Sequence, residues 1–129
     1  MSQVKIYGVR EHLLPIRKLL SDAIHACVVE ALQFPENKRA HRFFYLDNED
    51  FFRPATASER YIILEFLMME GRTVDTKKKL IHLLYERVCP VAHIPVTDLE
   101  ICILESPAYN WGFRGMTGDE ITLNYKVNV

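Results

Sequence analysis

Residues 60–71 read RYIILEFLMMEG, and this stretch decides the fold class of the chain. Residues 60–69 are apolar on nearly both faces, which is typical of a central strand that is covered on both sides of its sheet. Gly71 breaks the strand, and Thr73 can cap a helix that follows at once. The stretch therefore predicts a buried strand that leads directly into a helix.

A helix and a second strand complete this half of the chain. Pro90 is expected to kink or end the helix, and residues 99–104 read as a strand. The order is therefore strand, helix, strand. Helical spacing gives the helix a buried stripe of Leu80, Leu83, Leu84 and Val88.

The first third of the chain shows the same order. Residues 4–7 read as a strand, residues 15–32 as a helix and residues 41–46 as an aromatic-rich strand. The two segments coincide when they are offset by sixty residues. This offset pairs Val4 with Leu64, Ile6 with Phe66, Leu20 with Leu80, Ile24 with Leu84, Val28 with Val88 and Pro35 with Pro95.

We interpret the chain as a single domain that contains two copies of one β-α-β unit. Repeat 1 spans residues 1–59, repeat 2 spans residues 60–106, and residues 107–129 form a C-terminal extension. The fold class is α/β, with a four-stranded, mainly parallel core sheet and two helices on one of its faces. The extension is expected to hold an extra strand from Glu120 to Val127.

Composition excludes several classes of function. The 129 residues carry a net charge of −1, so no overall field favours nucleic acid or a membrane surface. No apolar stretch approaches the ~20 residues of a membrane span. We interpret the three cysteines, which lie in apolar patterns, as buried thiols in a reducing compartment. The three cysteines are Cys27, Cys89 and Cys102. The sequence thus favours a cytoplasmic protein without a metal site.

The tandem units and their motifs resemble the tautomerase superfamily. Glu70-Gly-Arg-Thr73 looks like the corresponding segment of 4-oxalocrotonate tautomerase. The double length, with Pro35-Glu36 and Trp111-Gly-Phe113, is similar to the malonate semialdehyde decarboxylase branch. Further matches in order and spacing are Pro95, Thr97, Glu105, Gly112 and Gly115.

This resemblance implies a homotrimer that acts without a cofactor on a small carboxylate. In the family, an amino-terminal proline moves a proton and arginines hold the carboxylate. Here Ser2 stands where the proline belongs and Lys38 where the branch has an aspartate. Of two paired arginines Arg72 remains, and Glu70 occupies the other position.

Ser2 and Arg72 are the predicted catalytic residues. Removal of Met1 would give Ser2 a primary α-amine with a reference pKa of about 7.7–8.0. Burial beside cations would lower that pKa, so the amine could act as a base near neutrality. Arg72 could hold a carboxylate bidentately, the alternative being a surface ion pair with Glu70.

The resemblance adds candidate substrate-binding residues. A further cation is expected from Lys38 or Arg42, with Arg39 possible, because the match is ambiguous by two residues. Trp111 and Phe113 could wall the pocket, although aromatic residues more often belong to the core or an interface. A backbone turn could bring Arg114 to the pocket mouth.

These residues support a cofactor-independent tautomerase, or a related lyase, acting on a small 2-oxo or enol carboxylate. The alternative is a non-catalytic protein that keeps the fold and binds small carboxylates or serves assembly. In a third possibility, Ser2 or its amine acts as a nucleophile and forms an adduct with a keto acid.

Overall fold

The structure, a computed structural model, describes residues 2–129. Its helices are α1 (Arg10–Leu13), α2 (Arg17–Leu32) and α3 (Val74–Ala92), with 3₁₀ turns at Leu14–Ile16, Asn48–Asp50, Val96–Asp98 and Ala108–Asn110. Its strands are β1 (Ser2–Val9), β2 (His41–Leu46), β3 (Ile62–Met69), β4 (Leu99–Ser106), β5 (Gly112–Phe113) and β6 (Met116–Thr117).

Four strands form the central sheet in the order β2-β1-β3-β4. Strands β1 and β3 pair antiparallel at its centre, with Val4 opposite Phe66. Each of them pairs in parallel with the second strand of its own half. Two of the three pairings are therefore parallel, and the predicted mainly parallel sheet is confirmed.

Helices α2 and α3 pack side by side on one face of the sheet, as predicted. The residues that the sixty-residue offset pairs in strands and helices are all at most 3% exposed. Truncating one such side chain, as in Leu84→Ala, would cost about 2–5 kcal/mol of folding free energy. The fully buried set contains Ile6, Leu20, Ile24, Leu64, Phe66, Leu80, Leu84 and Val88.

Helix α3 begins and ends close to its predicted limits. The Oγ1 atom of Thr73 accepts a hydrogen bond from the nitrogen of Thr76 at 3.2 Å, which is the predicted cap. The helix does not end at Pro90 but continues to Ala92, where His93 adopts a left-handed conformation with φ of 55°. A proline so near the end interrupts little of the remaining helix.

The predicted strand from Glu120 to Val127 is wrong in its position. The extra β structure is the hairpin of β5 and β6, and residues 120–129 have no regular secondary structure. The carbonyl oxygen of Val129 instead accepts a hydrogen bond from the nitrogen of Thr73 at 3.0 Å. A strand needs a partner edge, and within the single chain this segment bonds to the start of a helix instead.

The cysteines are free thiols, but not all of them are buried. Cys27 and Cys89 lie in the core, and burial raises the pKa of Cys27 to about 11. Cys102 is exposed, because it lies on the uncovered face of β4. No helix within residues 2–129 is long and apolar enough to cross a membrane.

Candidate active site

A cavity of about 240 Å³ opens beside the first residue of β1. It lies between the segment that precedes β2 and the β5–β6 hairpin. Four of the predicted site residues line it, and they come from three separate parts of the chain. The lining consists of Ser2, Phe34, Asn37, Lys38, Arg39, Ala40, Phe113, Arg114 and Leu123.

Ser2 is held firmly at one wall of this cavity. It is the first residue of β1, it lies opposite Met68 on β3, and it is only 6% exposed. Its Oγ atom is buried and has no hydrogen-bond partner among residues 2–129. The central position of β1 therefore fixes Ser2 against the cavity, with a polar group that the described protein leaves unpaired.

Lys38 contributes a positive charge that no carboxylate in residues 2–129 pairs with. Its Nζ atom donates to Oδ1 of Asn124 at 3.0 Å and lies 4.9 Å from the ring centre of Tyr125. Burial lowers the pKa of Lys38, and the positive charge of Arg114 lowers it further. An anion in the cavity would relieve this repulsion between the two cations.

Arg114 reaches the cavity through the tight turn of the hairpin. Arg114 and Gly115 have φ angles of 56° and 75°, the left-handed conformation that a two-residue turn of this type requires at both positions. The guanidinium carbon of Arg114 lies 5.9 Å from the ring centre of Phe113. The predicted backbone turn is therefore present, and it places Arg114 beside Phe113.

Arg39 and Arg42 are placed differently. Arg39 also lines the cavity, but its Nη1 atom is 2.7 Å from Oδ1 of Asp22, so its charge already has a partner. Arg42 donates from Nη2 to Oε1 of Gln3 at 3.0 Å on the uncovered face of the sheet. Because side chains alternate along a strand, Gln3 and Ser2 point to opposite faces. Within one chain Arg42 is therefore separated from Ser2.

Arg72 is buried at the end of β3. It is 5% exposed, so the alternative of a surface ion pair with Glu70 is wrong. Its Nη1 atom donates to the carbonyl oxygen of Met69 at 3.2 Å, while Nε and Nη2 have no acceptor among residues 2–129. Burial lowers the pKa of Arg72, and the nearby Tyr125 and Glu105 oppose that shift. Two donor groups are thus directed into the protein without partners.

The two predicted aromatic wall residues are separated. Phe113 lines the cavity of Ser2, whereas Trp111 lies beside Gln3 and Glu105 at another surface depression. The Nε1 atom of Trp111 is buried and has no acceptor within the described part of the chain. The structure does not bring Trp111 into the cavity.

Tyr125 and Phe34 belong to this region but were not predicted. Their rings meet edge to face at a distance of 4.8 Å. Burial raises the pKa of Tyr125, and the positive charges of Arg72 and Arg114 oppose the rise. The alternating pattern of residues 120–127 predicted Tyr125 to be part of a strand. The only sequence signal for a place at the cavity was that Tyr125 is aromatic.

The chemistry of the site rests on cations and hydroxyl groups. Residues 2–129 hold no group of three or more His, Cys, Asp or Glu side chains that could bind a metal ion. The cavity lining offers the Lys38 ammonium, the Arg114 guanidinium and the Ser2 hydroxyl, whereas Arg72 is not among the residues that line it. Such a set fits an oxygen-rich anion.

Comparison with known proteins identifies the family. The family model described as "Tautomerase enzyme" matches residues 38–114, which is more than half of the chain. The 2-hydroxymuconate tautomerase of Pseudomonas putida is 30% identical over 57 residues, covering 44% of this chain and 90% of that protein. The resemblance to the tautomerase superfamily, predicted from the tandem units and the order of their motifs, is confirmed.

Solved structures agree on the fold. Malonate semialdehyde decarboxylase gives a TM-score of 0.78 at 21% identity, covering 88% of this chain and 92% of that one. A fused 4-OT that forms an asymmetric trimer gives a TM-score of 0.82 at 20% identity, covering 92% and 97%. The chain has the tautomerase-like fold, and it belongs to the tautomerase family of enzymes.

Proposed function

We propose that this protein is a cofactor-independent tautomerase that acts on a small 2-oxo or enol carboxylate. One observation carries the proposal: Ser2, Lys38 and Arg114 line the same cavity of about 240 Å³. A residue that can present an α-amine thus lies beside two cations that no carboxylate of the described chain neutralises. This arrangement suits proton transfer on an anionic substrate.

The α-amine of Ser2, exposed after removal of Met1, moves the proton. Its reference pKa of about 7.7–8.0 is lowered by burial and by nearby cations, so both protonation states are accessible near neutrality. In the enol-to-keto direction, the ammonium form delivers a proton to carbon, the enol oxygen gives its proton to water, and the neutral amine takes a proton back from water. The reaction changes neither the composition nor the oxidation state of the substrate.

Lys38 and Arg114, which line the cavity, bind and orient the carboxylate, and Arg72, which is buried at the end of β3 outside the lining, adds its two unpaired donors. Arginine can present two parallel donors to a carboxylate, and ammonium supplies a compact charge. Phe113 covers one side and excludes water, which strengthens the electrostatic interactions within the cavity. A related lyase reaction could use the same contacts, but Lys38 replaces the aspartate of the decarboxylase branch.

We further propose a cytoplasmic homotrimer. The face of the sheet away from α2 and α3 exposes Phe44 and Leu104, at 38% and 46% of their surfaces. Such a face is best covered by another chain, and a fused 4-OT of the same fold is a trimer. The free thiols of Cys27 and Cys89 suit a reducing compartment.

A pair of Ser2 variants tests the proposal. Ser2→Ala keeps a small second residue, so that Met1 is removed and an α-amine remains. Ser2→Leu retains Met1 and leaves position 2 without a free amine. Intact-mass measurement verifies both termini, and NMR follows deuterium exchange at the methyl group of pyruvate in D₂O together with ketonisation of enol-phenylpyruvate.

We expect Ser2→Ala to retain most of the wild-type rate and Ser2→Leu to lose it. Loss of activity in Ser2→Ala alone would assign the chemistry to the hydroxyl group, and borohydride trapping would then test for an adduct. A wild-type protein and a Ser2→Pro variant that are both inert would overturn the enzymatic proposal.

The second candidate is a non-catalytic carboxylate-binding protein. It is favoured by the presence of Ser2 at the position where the family uses a proline. It predicts that small carboxylates raise the melting temperature while the exchange and ketonisation rates stay at those of buffer. The same measurements therefore separate the two functions.

A further inference from the structure

Residues 120–129, called here the strap, cross the beginning of helix α3. The carbonyl oxygen of Val129 accepts hydrogen bonds from the nitrogen of Thr73 at 3.0 Å and from Oγ1 of Thr76 at 2.8 Å. Asn124 accepts a hydrogen bond from Lys38. The strap is thus attached both to the helix start and to the wall of the cavity.

Gly71 gives the strap room to pass. Its φ of 140° is strained for any residue with a side chain, and a Cβ atom there would lie 2.6 Å from Oδ1 of Asn128 and 2.8 Å from Cγ1 of Val127. The absence of a side chain at position 71 therefore lets the strap pack closely against the end of β3.

The strap places the side chain of Tyr125 beside two residues of the cavity lining. The ring of Tyr125 contacts Phe34 and Lys38, both of which line the cavity of Ser2. Its hydroxyl group is buried and has no partner within residues 2–129. The charges of Arg72 and Arg114 both act on this hydroxyl group, so it lies in the field of the two guanidinium groups.

Four buried donors in this region lack a protein acceptor: Nε and Nη2 of Arg72, Oγ of Ser2 and the hydroxyl group of Tyr125. A buried donor without an acceptor is costly, so this set favours a ligand that carries several oxygen atoms. The lysine and arginine side chains can bind the carboxylate of such a ligand, whereas the neutral phenol of Tyr125 is suited to donate to a carbonyl or enol oxygen.

We propose that Tyr125 is a specificity-determining residue whose hydroxyl group donates a hydrogen bond to the keto or enol oxygen of the substrate. The strap holds this donor beside Lys38 and Phe34, so a 2-oxo acid is preferred over a carboxylic acid of the same length without the oxygen. The ligand class rests on the proposed function, but the contact is a matter of binding and does not require turnover.

The test compares two probes, pyruvate and propanoate, which differ in the keto oxygen. Titration calorimetry measures Kd for the wild type, for Tyr125→Phe and for Tyr109→Phe, a matched loss of a hydroxyl group from a residue that is 67% exposed. We expect Tyr125→Phe to bind pyruvate about three- to tenfold more weakly and propanoate within twofold of the wild type. Tyr109→Phe should match the wild type for both.

Equal weakening of both probes would assign Tyr125 a structural role and overturn the proposal, as would unchanged binding of pyruvate or a wild type that binds neither probe. The outcome is independent of catalysis. If Tyr125→Phe loses pyruvate binding selectively and the wild type shows no turnover, the Tyr125 contact is supported and the tautomerase activity is contradicted. If the wild type turns substrate over but Tyr125→Phe weakens both probes equally, the activity is supported and the contact is contradicted.

Discussion

Asp98 accepts two hydrogen bonds from Ser58, one from its backbone nitrogen at 2.7 Å and one from its hydroxyl group at 2.5 Å. Asp98 is 2% exposed, and it joins the long connection before β3 to the start of β4. Because β1 and β3 are antiparallel, this pair lies at the end of the sheet opposite to Ser2. The contact holds the fold together without touching the candidate site.

Asp98→Ala should therefore reduce stability and leave binding unchanged. Removing the acceptor breaks both hydrogen bonds, but Ser58 is exposed and its donors can bond to water instead, so we expect a loss of about 1–2 kcal/mol of unfolding free energy. Urea denaturation measures this loss, and calorimetry with pyruvate measures binding. Asp119→Ala, at an exposed position, is the control and should change neither. A weaker pyruvate Kd in Asp98→Ala would contradict the separation of the two ends.

Arg72→Met should increase stability while it removes carboxylate binding. Arg72 is a buried cation, and two of its donor groups have no partner within residues 2–129. The substitution puts an apolar side chain of similar length in its place. Such replacements can stabilise a protein, and here we expect a gain of about 1 kcal/mol in unfolding free energy. Arg17→Met, on the surface, provides the comparison. A clear loss of stability in Arg72→Met would mean that the guanidinium group serves the fold and not a ligand.

Gly71→Ala should displace the strap. The added Cβ atom would meet Asn128 and Val127, and the φ of 140° adds backbone strain, so we expect a loss of about 1–3 kcal/mol in stability. Amide exchange at Val129 should increase. Gly112→Ala is the matched control, because nothing lies within 4 Å of a Cβ atom built there. Unchanged exchange in the strap would show that the strap does not pack against Gly71.

Stability should decrease as the pH falls below about 6.5, through His41. Burial lowers the pKa of His41 from 6.5 to about 4, and the positive charge of Arg39 adds to the effect, whereas the negative charge of Asp22 opposes it. Between these values the unfolded chain binds a proton that the folded chain does not. The stabilisation that the neutral His41 gives to the folded state is complete above pH 6.5 and is lost toward pH 4. It amounts to at most about 3 kcal/mol of unfolding free energy.

Urea denaturation between pH 4 and pH 8 checks this dependence. His41→Gln should flatten the curve over this range, although it also removes the 2.7 Å hydrogen bond between Nδ1 of His41 and Oγ of Ser21. His82→Gln, on the exposed side of α3, should keep the wild-type slope. Equal slopes in all three proteins would exclude His41 as the titrating group.

Local periodicity was sufficient to predict the sheet and the two long helices. The stripes of α2 and α3 are buried where the 3.6-residue spacing placed them, as Leu20 and Leu80 illustrate. The position of Arg114 followed from a glycine-containing turn, which is also local. These features depend on neighbours in the sequence and so can be inferred from it.

The remaining features depend on long-range contacts. Lys38 and Arg42 are four positions apart, but one lies at the cavity and the other on the far face of the sheet, which only the register of β2 decides. Tyr125 alternates with polar residues as a strand residue would, yet its segment bonds to a helix start. An alternating pattern records which side chains are apolar and not what they will pack against.

The antiparallel pairing of β1 and β3 places the starts of these two equivalent strands at opposite ends of the sheet. The position equivalent to Ser2 at the other end of the sheet is Ile62, which lies inside the chain and is 4% exposed. An interior residue has no α-amine to offer, and the cavity at that end is only about 40 Å³. Under the proposed function, we therefore expect each chain to bind one ligand at the Ser2 end of the sheet and none at the Ile62 end.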